Sequence, residues 1–256
     1  MSSPNAGVAE PILEVERVRK TFGGVCAVDG VSFALPAGEI RALIGPNGAG
    51  KTTFFNILTG QLDADEGAVR FRGRPIAGLS PWSIWRLGVS RTFQITATFS
   101  TLTVLENVQV ARLSHVGKTR QPITAASRLE VAPATALLKQ VGLEDQRLRA
   151  AGVLAYGDLK KLELAIALAN DPALLLLDEP TAGMAPAERG ALMSLTASIA
   201  RERGITVLFT EHDMDVVFAT ADRIMVLHQG RVIADGLPAE VRADRQVQAV
   251  YLGDEP

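Results

Sequence analysis

Residues 45–52, Gly45-Pro46-Asn47-Gly48-Ala49-Gly50-Lys51-Thr52, satisfy the pattern G-x-x-x-x-G-K-[ST] at every fixed position. Such a run can hold a polyphosphate. Its glycines let main-chain N–H groups turn inward and close on an anion, and the start of a helix adds positive potential. Lys51 is then placed to reach β- and γ-phosphates, Thr52 offers a hydroxyl to Mg²⁺, and Thr53 carries the loop on into the helix. Much later, Leu174-Leu175-Leu176-Leu177-Asp178-Glu179 is an apolar run that ends in two carboxylates. A buried strand of this kind brings charge to the edge of a sheet. There Asp178 would bind Mg²⁺ through water, and Glu179 would polarise a water attacking the γ-phosphate. His212 follows a second apolar run, 205–210, which delivers another polar group to the same edge.

The flanking patterns supply the elements that must position these groups. Residues 40–44 read as a compact buried strand, and 52–59, with Phe54, Phe55, Ile57 and Leu58, as a helix lying on a sheet. Upstream, 12–33 reads as a strand meander punctuated by Gly23-Gly24 and Asp29-Gly30, and 67–76 as an edge strand closed by Gly73 and Pro75. After Asp171-Pro172 strands and helices alternate: strand 173–177, helix 186–203, strand 205–210, helix 213–221, strand 223–228, strand 231–235. Between about 95 and 170 the strand pattern gives way to helical spacing, clearest at 134–141 and 159–169, and 114–133 is the least patterned stretch. The expected architecture is α/β: a P-loop NTPase core with an antiparallel β subdomain and an inserted α-helical subdomain. Its expected divisions are a polar, disordered lead-in at 1–11, a core at 12–93 and 171–256, and a helical part with the signature segment at 94–170.

Composition narrows the possibilities. Hydrophobic residues make up 47% of the 256 and aromatics only 5%, so aliphatic side chains must fill the core. Lys plus Arg number 26 against 28 Asp plus Glu, a net charge of −2, which argues against a chain built to neutralise nucleic-acid phosphates. The single cysteine, Cys26, cannot close an internal disulfide or build a cysteine-rich metal site, which suits a reducing compartment. His115 and His228 stand apart from His212, so the three histidines do not make a metal site. The first eight residues lack the basic and apolar regions of a signal peptide, and no apolar run approaches the roughly 18–20 residues of a membrane span. The expectation is a soluble chain that can dock on a membrane protein.

Taken in order, the 45–52 loop, Arg91-Thr92-Phe93-Gln94, Leu154-Ala155-Tyr156-Gly157-Asp158, the 174–179 run and His212 resemble the ATP-binding cassette ATPases. The further segments Phe22-Gly23-Gly24, Ala182-Gly183-Met184, Glu211-His212-Asp213-Met214 and Val250-Tyr251-Leu252-Gly253 are similar to membrane-transporter ATPases for branched-chain amino acids. The resemblance implies a Mg-dependent ATPase in which residues 45–53 bind ATP and Thr52, Gln94 and Asp178 hold Mg²⁺. Glu179 is then the catalytic carboxylate, His212 senses the γ-phosphate, and Gln94 links nucleotide state to the membrane partner. Leu154, Ala155, Tyr156 and Gly157 become a signature segment that binds the γ-phosphate held by an opposite subunit. Phe22 is placed to stack on adenine, the alternative being an ordinary core phenylalanine. The sequence departs from the commoner Leu-Ser-Gly-Gly-Gln signature at Ala155, Tyr156 and Asp158, and Ala185 stands where a carboxylate is usual.

The implied partners are integral membrane permease subunits, a second cassette ATPase (a copy of this chain or a related one) and a separate substrate-binding protein. The implied location is cytoplasmic, peripheral on the inner face of the cell membrane. The implied function is to power uptake of branched-chain amino acids, with urea or other amino-acid uptake, or iron–sulfur assembly, as alternatives. The short interval from Lys51 to Leu154 and the single cassette argue against DNA-repair and translation relatives.

Overall fold

Strands β3 (Ile40–Ile44), β7 (Leu174–Asp178) and β8 (Thr206–Thr210) are buried at every residue in the computed structural model of the protein, which describes residues 11–92, 98–117 and 129–252. Covered on both faces, such strands are largely apolar, and the one charge inside β3, Arg41, is paired with Glu39 and Asp235. With β6 (Val89–Thr92), β9 (Arg223–His228) and β10 (Arg231–Gly236) they form a six-stranded sheet in the order β10-β9-β3-β8-β7-β6. All neighbours are parallel except β10, which lies antiparallel at the edge. A second sheet, wholly antiparallel, runs β2-β1-β4-β5 through β1 (Pro11–Phe22), β2 (Val25–Pro36), β4 (Glu66–Phe71) and β5 (Arg74–Pro75).

Helix α1 (Lys51–Leu58) lies between the two sheets, and its Phe54 and Phe55 join a core with Leu13, Leu35, Leu174 and Leu176. On the opposite face of the parallel sheet, Leu175, Leu177, Val207 and Phe209 pack against helices α3 (Val104–His115), α4 (Val131–Gln140), α5 (Tyr156–Ala167) and α6 (Pro186–Arg203). Consecutive leucines of β7 thus feed two different cores, each contributing about 1.5–3 kcal/mol by burial. This is the expected α/β class, with its antiparallel sheet and helical insert.

Three differences from the sequence reading have physical causes. The expected edge strand at 67–76 is a hairpin: β4 is interior, paired with β1 and β5, and only β5 is at the edge. Pro75, which has no N–H, suits that outer position. Helix α2 (Pro81–Arg86) and strand β6 carry too few residues to show a period, and the buried state of Val-Ser-Arg-Thr in β6 comes from pairing with β7. Helices α8 (Pro238–Ala243) and α9 (Arg245–Leu252), which follow α7 (Met214–Thr220) and strands β9 and β10, bury only Val241 and Val247 among the described residues, too little of an apolar face to mark them in the sequence. In addition, β1 starts at Pro11, the last residue of the expected lead-in, and α5 starts at Tyr156, ahead of the apolar spacing.

Helix α3 begins with a reciprocal cap. Thr103 Oγ1 accepts the Glu106 N–H at 3.1 Å, and Glu106 Oε2 accepts the Thr103 N–H at 2.8 Å. The bonds from the Thr103 main chain and hydroxyl hold the Glu106 carboxyl below its usual range. Thr103→Ala is expected to lower stability by about 1 kcal/mol and the thermal midpoint by about 2–4 °C, read by a melt at neutral pH. Because the folded state binds the Glu106 proton more weakly, this contribution is present above the ordinary carboxylate pKa and fades as pH falls through the lowered one. The gap between variant and parent should therefore narrow in acid.

Candidate active site

From the end of β3 the loop 45–50 turns into α1 through a space with no room for a side chain at its two ends, Gly45 and Gly50. A Cβ on Gly45 would overlap the Leu227 carbonyl oxygen, and one on Gly50 would overlap that of Ala27. The loop is also pinned from outside, because the Gly230 N–H donates to the Ala49 carbonyl at 3.0 Å. Lys51 is buried, and its ammonium donates to the carbonyls of Gly45 at 2.6 Å and Pro46 at 3.1 Å. Burial lowers the Lys51 pKa, and the negative charges of Glu179 and Asp178 pull against that shift. Thr52 is exposed and Thr53 half-buried. Ala27, residues 47–53 and Glu179 line one open pocket of about 200 Å³, so the fold brings Glu179 to the loop although 126 residues of sequence lie between it and Thr52.

The carboxylate edge is set by register. Asp178 of β7 lies opposite Thr210 of β8, and the Thr210 hydroxyl donates to Asp178 Oδ1 at 2.9 Å. The other oxygen, Oδ2, accepts from Arg91 Nη2 of β6 at 2.7 Å. This ion pair is buried, with side-chain exposures of 8% and 3%. Arg91 also donates to Asn56 Oδ1 at 2.7 Å and so reaches α1. Among the described residues each Asp178 oxygen accepts one of these two bonds, and a carboxylate oxygen has a further lone pair. With the Thr52 hydroxyl and the Glu179 carboxylate, the donors here are all oxygen, the set a hard divalent cation such as Mg²⁺ takes.

Glu179 has a left-handed backbone, φ +50°, which costs a non-glycine residue on the order of 1–3 kcal/mol. The conformation is held by its N–H, which donates to the Thr210 hydroxyl at 3.0 Å and to the Thr210 carbonyl at 3.2 Å. Glu179 Oε1 lies 2.7 Å from His212 Nε2. Buried Glu211 braces both residues' loops: its Oε1 accepts the Thr181 hydroxyl at 2.6 Å and N–H at 2.9 Å, and its Oε2 accepts the His212 N–H at 3.2 Å.

The remaining candidates lie elsewhere. Leu154 is half-buried, Ala155 is the exposed residue before α5, and Tyr156 and Gly157 open that helix. Among the described residues, neither this segment nor Phe22 lines the pocket around Lys51. The Asp158 carboxylate is engaged inside its own subdomain, accepting Gln146 Nε2 at 2.7 Å and Lys161 Nζ at 2.9 Å. Burial pushes the Asp158 pKa up, but the bonds from Lys161 and Gln146 outweigh it and hold the carboxyl below its usual range. Phe22 is 48% exposed at the end of β1 with the Lys20 ammonium 5.7 Å from its ring centre, so it is not a core phenylalanine. Gln94 lies outside the described residues.

The structure adds residues to which the pattern gave no role. Arg91, Thr181, Thr210 and Glu211 hold the carboxylate edge in place; Arg91 and Glu211 lie in the segments 91–94 and 211–214 that carry the resemblance, which gave them no role of their own. In α9, desolvation pushes the phenol of partly exposed Tyr251 up to about 12, against the pull of the Gly45 main chain beside it. No helix among the described residues is long and apolar enough to cross a membrane.

A glycine-rich G-x-x-x-x-G-K-[ST] loop between strand and helix, with strand-end carboxylates at the same edge of a parallel sheet, is the arrangement of a P-loop nucleoside triphosphatase. Residues 28–182 match the family described as ABC transporter, and residues 231–256 match one described as branched-chain amino acid ATP-binding cassette transporter. The high-affinity branched-chain amino acid transport ATP-binding protein BraF of Pseudomonas aeruginosa is 40% identical over 254 residues, covering 96% of this chain and 100% of BraF. A crystal structure of a nucleotide-free ATP-binding cassette from an ABC transporter matches with a TM-score of 0.84 and 33% identity over 95% of this chain and 100% of that one. A dimeric ATP-binding cassette in a post-hydrolysis state, bound to ADP and Pi, matches with a TM-score of 0.75 and 26% identity over 88% and 98% of the two chains. This chain belongs to the ATP-binding cassette family of transporter ATPases.

The Arg91–Asp178 pair offers a direct check on what holds the edge. Arg91→Met leaves a buried carboxylate without its cation and should lower stability by about 3–5 kcal/mol, read as a drop in the urea midpoint.

Proposed function

We propose that this chain is the ATP-hydrolysing subunit of a membrane importer and powers the uptake of branched-chain amino acids. The observation that carries the catalytic part is the pocket in which Glu179, paired with His212, faces residues 47–53 of the phosphate loop. Amides of the loop ring the phosphates, and the Lys51 ammonium exchanges its carbonyl partners for β- and γ-phosphate oxygens. Mg²⁺, held by the Thr52 hydroxyl, by Asp178 through water and by Gln94, would draw off the charge that develops on the β- and γ-oxygens. Glu179 orients a water in line with the γ-phosphorus and takes its proton; the new P–O bond forms as the bond to the β-phosphate oxygen breaks and ADP leaves with that electron pair. His212 steadies Glu179 and donates to the γ-phosphate, and Phe22 offers its exposed ring to adenine.

One chain carries half of each site. Residues 154–157 stand away from their own phosphate loop at the start of α5, where free first-turn amides suit a phosphate held by a second cassette. The dimeric relative bound to ADP and Pi supports this pairing. The second cassette is a copy of this chain or a related one. Permease subunits are placed at the trough flanked by α2 and α3, where Trp82 and Trp85 stack at 5.0 Å and Phe99 and Val110 are exposed. An adjoining pocket reaches Arg91, and through it Asp178, giving the membrane partner a route to the carboxylate edge. The complex then sits on the cytoplasmic face of the membrane with a separate binding protein delivering cargo.

Two measurements test the reading. Lys51→Ala should abolish nucleotide affinity, whereas Glu179→Gln should keep it and lower kcat by about 10²–10⁴-fold; undiminished turnover in the glutamine variant overturns the catalytic assignment. The cargo rests on the relatives' names and on the match at residues 231–256. In proteoliposomes carrying the permeases and binding protein, leucine, isoleucine and valine should stimulate ATP hydrolysis and accumulate. Stimulation by urea alone would overturn the branched-chain reading.

A further inference from the structure

Tyr156 stands at a position of the signature segment where the common pattern has glycine, and the structure gives its side chain a partner within the same chain. Its hydroxyl donates to the Ala182 carbonyl at 2.9 Å. Its ring lies so close to Gly183 that a Cβ there would stand 3.2 Å from the Tyr156 hydroxyl and 3.4 Å from two ring carbons. Gly183 has φ +79°, so the position favours glycine both by backbone and by room. The Lys160 ammonium, 5.5 Å from the ring centre and paired with Glu163 at 3.0 Å, holds a charge against the tyrosine one turn along the helix.

Ala182 is also fixed from the other side. Its N–H donates to the Glu179 carbonyl at 3.0 Å, closing the turn 179–182, and the Met184 N–H bonds to Thr181 at 3.1 Å. A continuous path therefore runs from the first residue of α5 through the Ala182 main chain to the strained backbone of Glu179, whose carboxylate meets His212. The phenol–carbonyl bond is solvent-exposed, and such a bond contributes little to global stability. Its consequence is geometric. It couples the placement of α5 to the angle at which Glu179 leaves its strand.

We propose that Tyr156 is a positioning residue that sets the catalytic placement of Glu179 through the Ala182 turn, so that the helical half of the chain governs the hydrolytic step of its own phosphate loop. This rests on the reading of Glu179 as the group that activates water. Tyr156→Phe, which keeps the ring and removes only the donor, should lower kcat of the full-length protein by about 3–10-fold. The KM for ATP and the ATP affinity should stay unchanged, and the thermal midpoint should move by no more than about 2 °C. Single-turnover rates in the Glu179→Gln background supply the second arm: there Tyr156→Phe should cost nothing more, because its effect passes through the missing carboxylate. An unchanged kcat, a weakened ATP affinity, or a loss that multiplies with that of Glu179→Gln would each overturn the inference. The two readings fail separately. Full turnover in Glu179→Gln alone removes the role of Glu179, whereas an impaired Glu179→Gln beside a normal Tyr156→Phe removes only that of Tyr156.

Discussion

The pairing of β7 with β8, Asp178 opposite Thr210, is the constraint from which the rest of the site follows. Two strands buried along their whole length can carry charge only where they end, and there a carboxylate that leaves water must be bonded at once. Asp178 meets that condition through the Thr210 hydroxyl and Arg91. Thr210 has a second task, since it also receives the Glu179 N–H and so fixes a backbone that would relax elsewhere. A slip of one residue in this register would turn Asp178 into the opposite core and undo both.

Arg91 extends the same logic to three elements. From β6 it grips the end of β7 and, through Asn56, the helix that follows the phosphate loop. Pairing a guanidinium with a carboxylate below the surface gains little net stability, but losing either partner strands the other. The ion pair therefore specifies relative position more than it adds cohesion, which is what a site assembled from distant segments requires.

Legibility from sequence tracked how local the physics was. The phosphate loop could be read because its glycines, Lys51 and Thr52 are adjacent and their chemistry is written in one octapeptide. Strands β3, β7 and β8 could be read because complete burial makes their composition mostly aliphatic and β-branched, Arg41 of β3 apart. Strand β6 and helix α2 could not, since four and six residues carry no period and tertiary contacts alone decide their state. The interior place of β4 was hidden for a related reason: pairing partners are a property of the sheet, not of the strand. Asp158 gives a subtler case. The sequence shows a negative charge where the common signature has an amide, but only the folded chain shows that Lys161 and Gln146 have already claimed it. Arg91 and Glu211 stand inside segments that carry the resemblance, but the sequence does not show what they brace, because Asp178 and Thr181 lie on distant segments.

The internal grip of Lys51 on the Gly45 and Pro46 carbonyls carries a thermodynamic consequence. A cationic side chain already bonded to its own loop, with Gly45 and Gly50 each set against a neighbouring carbonyl, makes a receptor formed before its guest rather than a coil that folds around it. Association should then forfeit little chain entropy, and its enthalpy should reflect a swap of one set of oxygens for another.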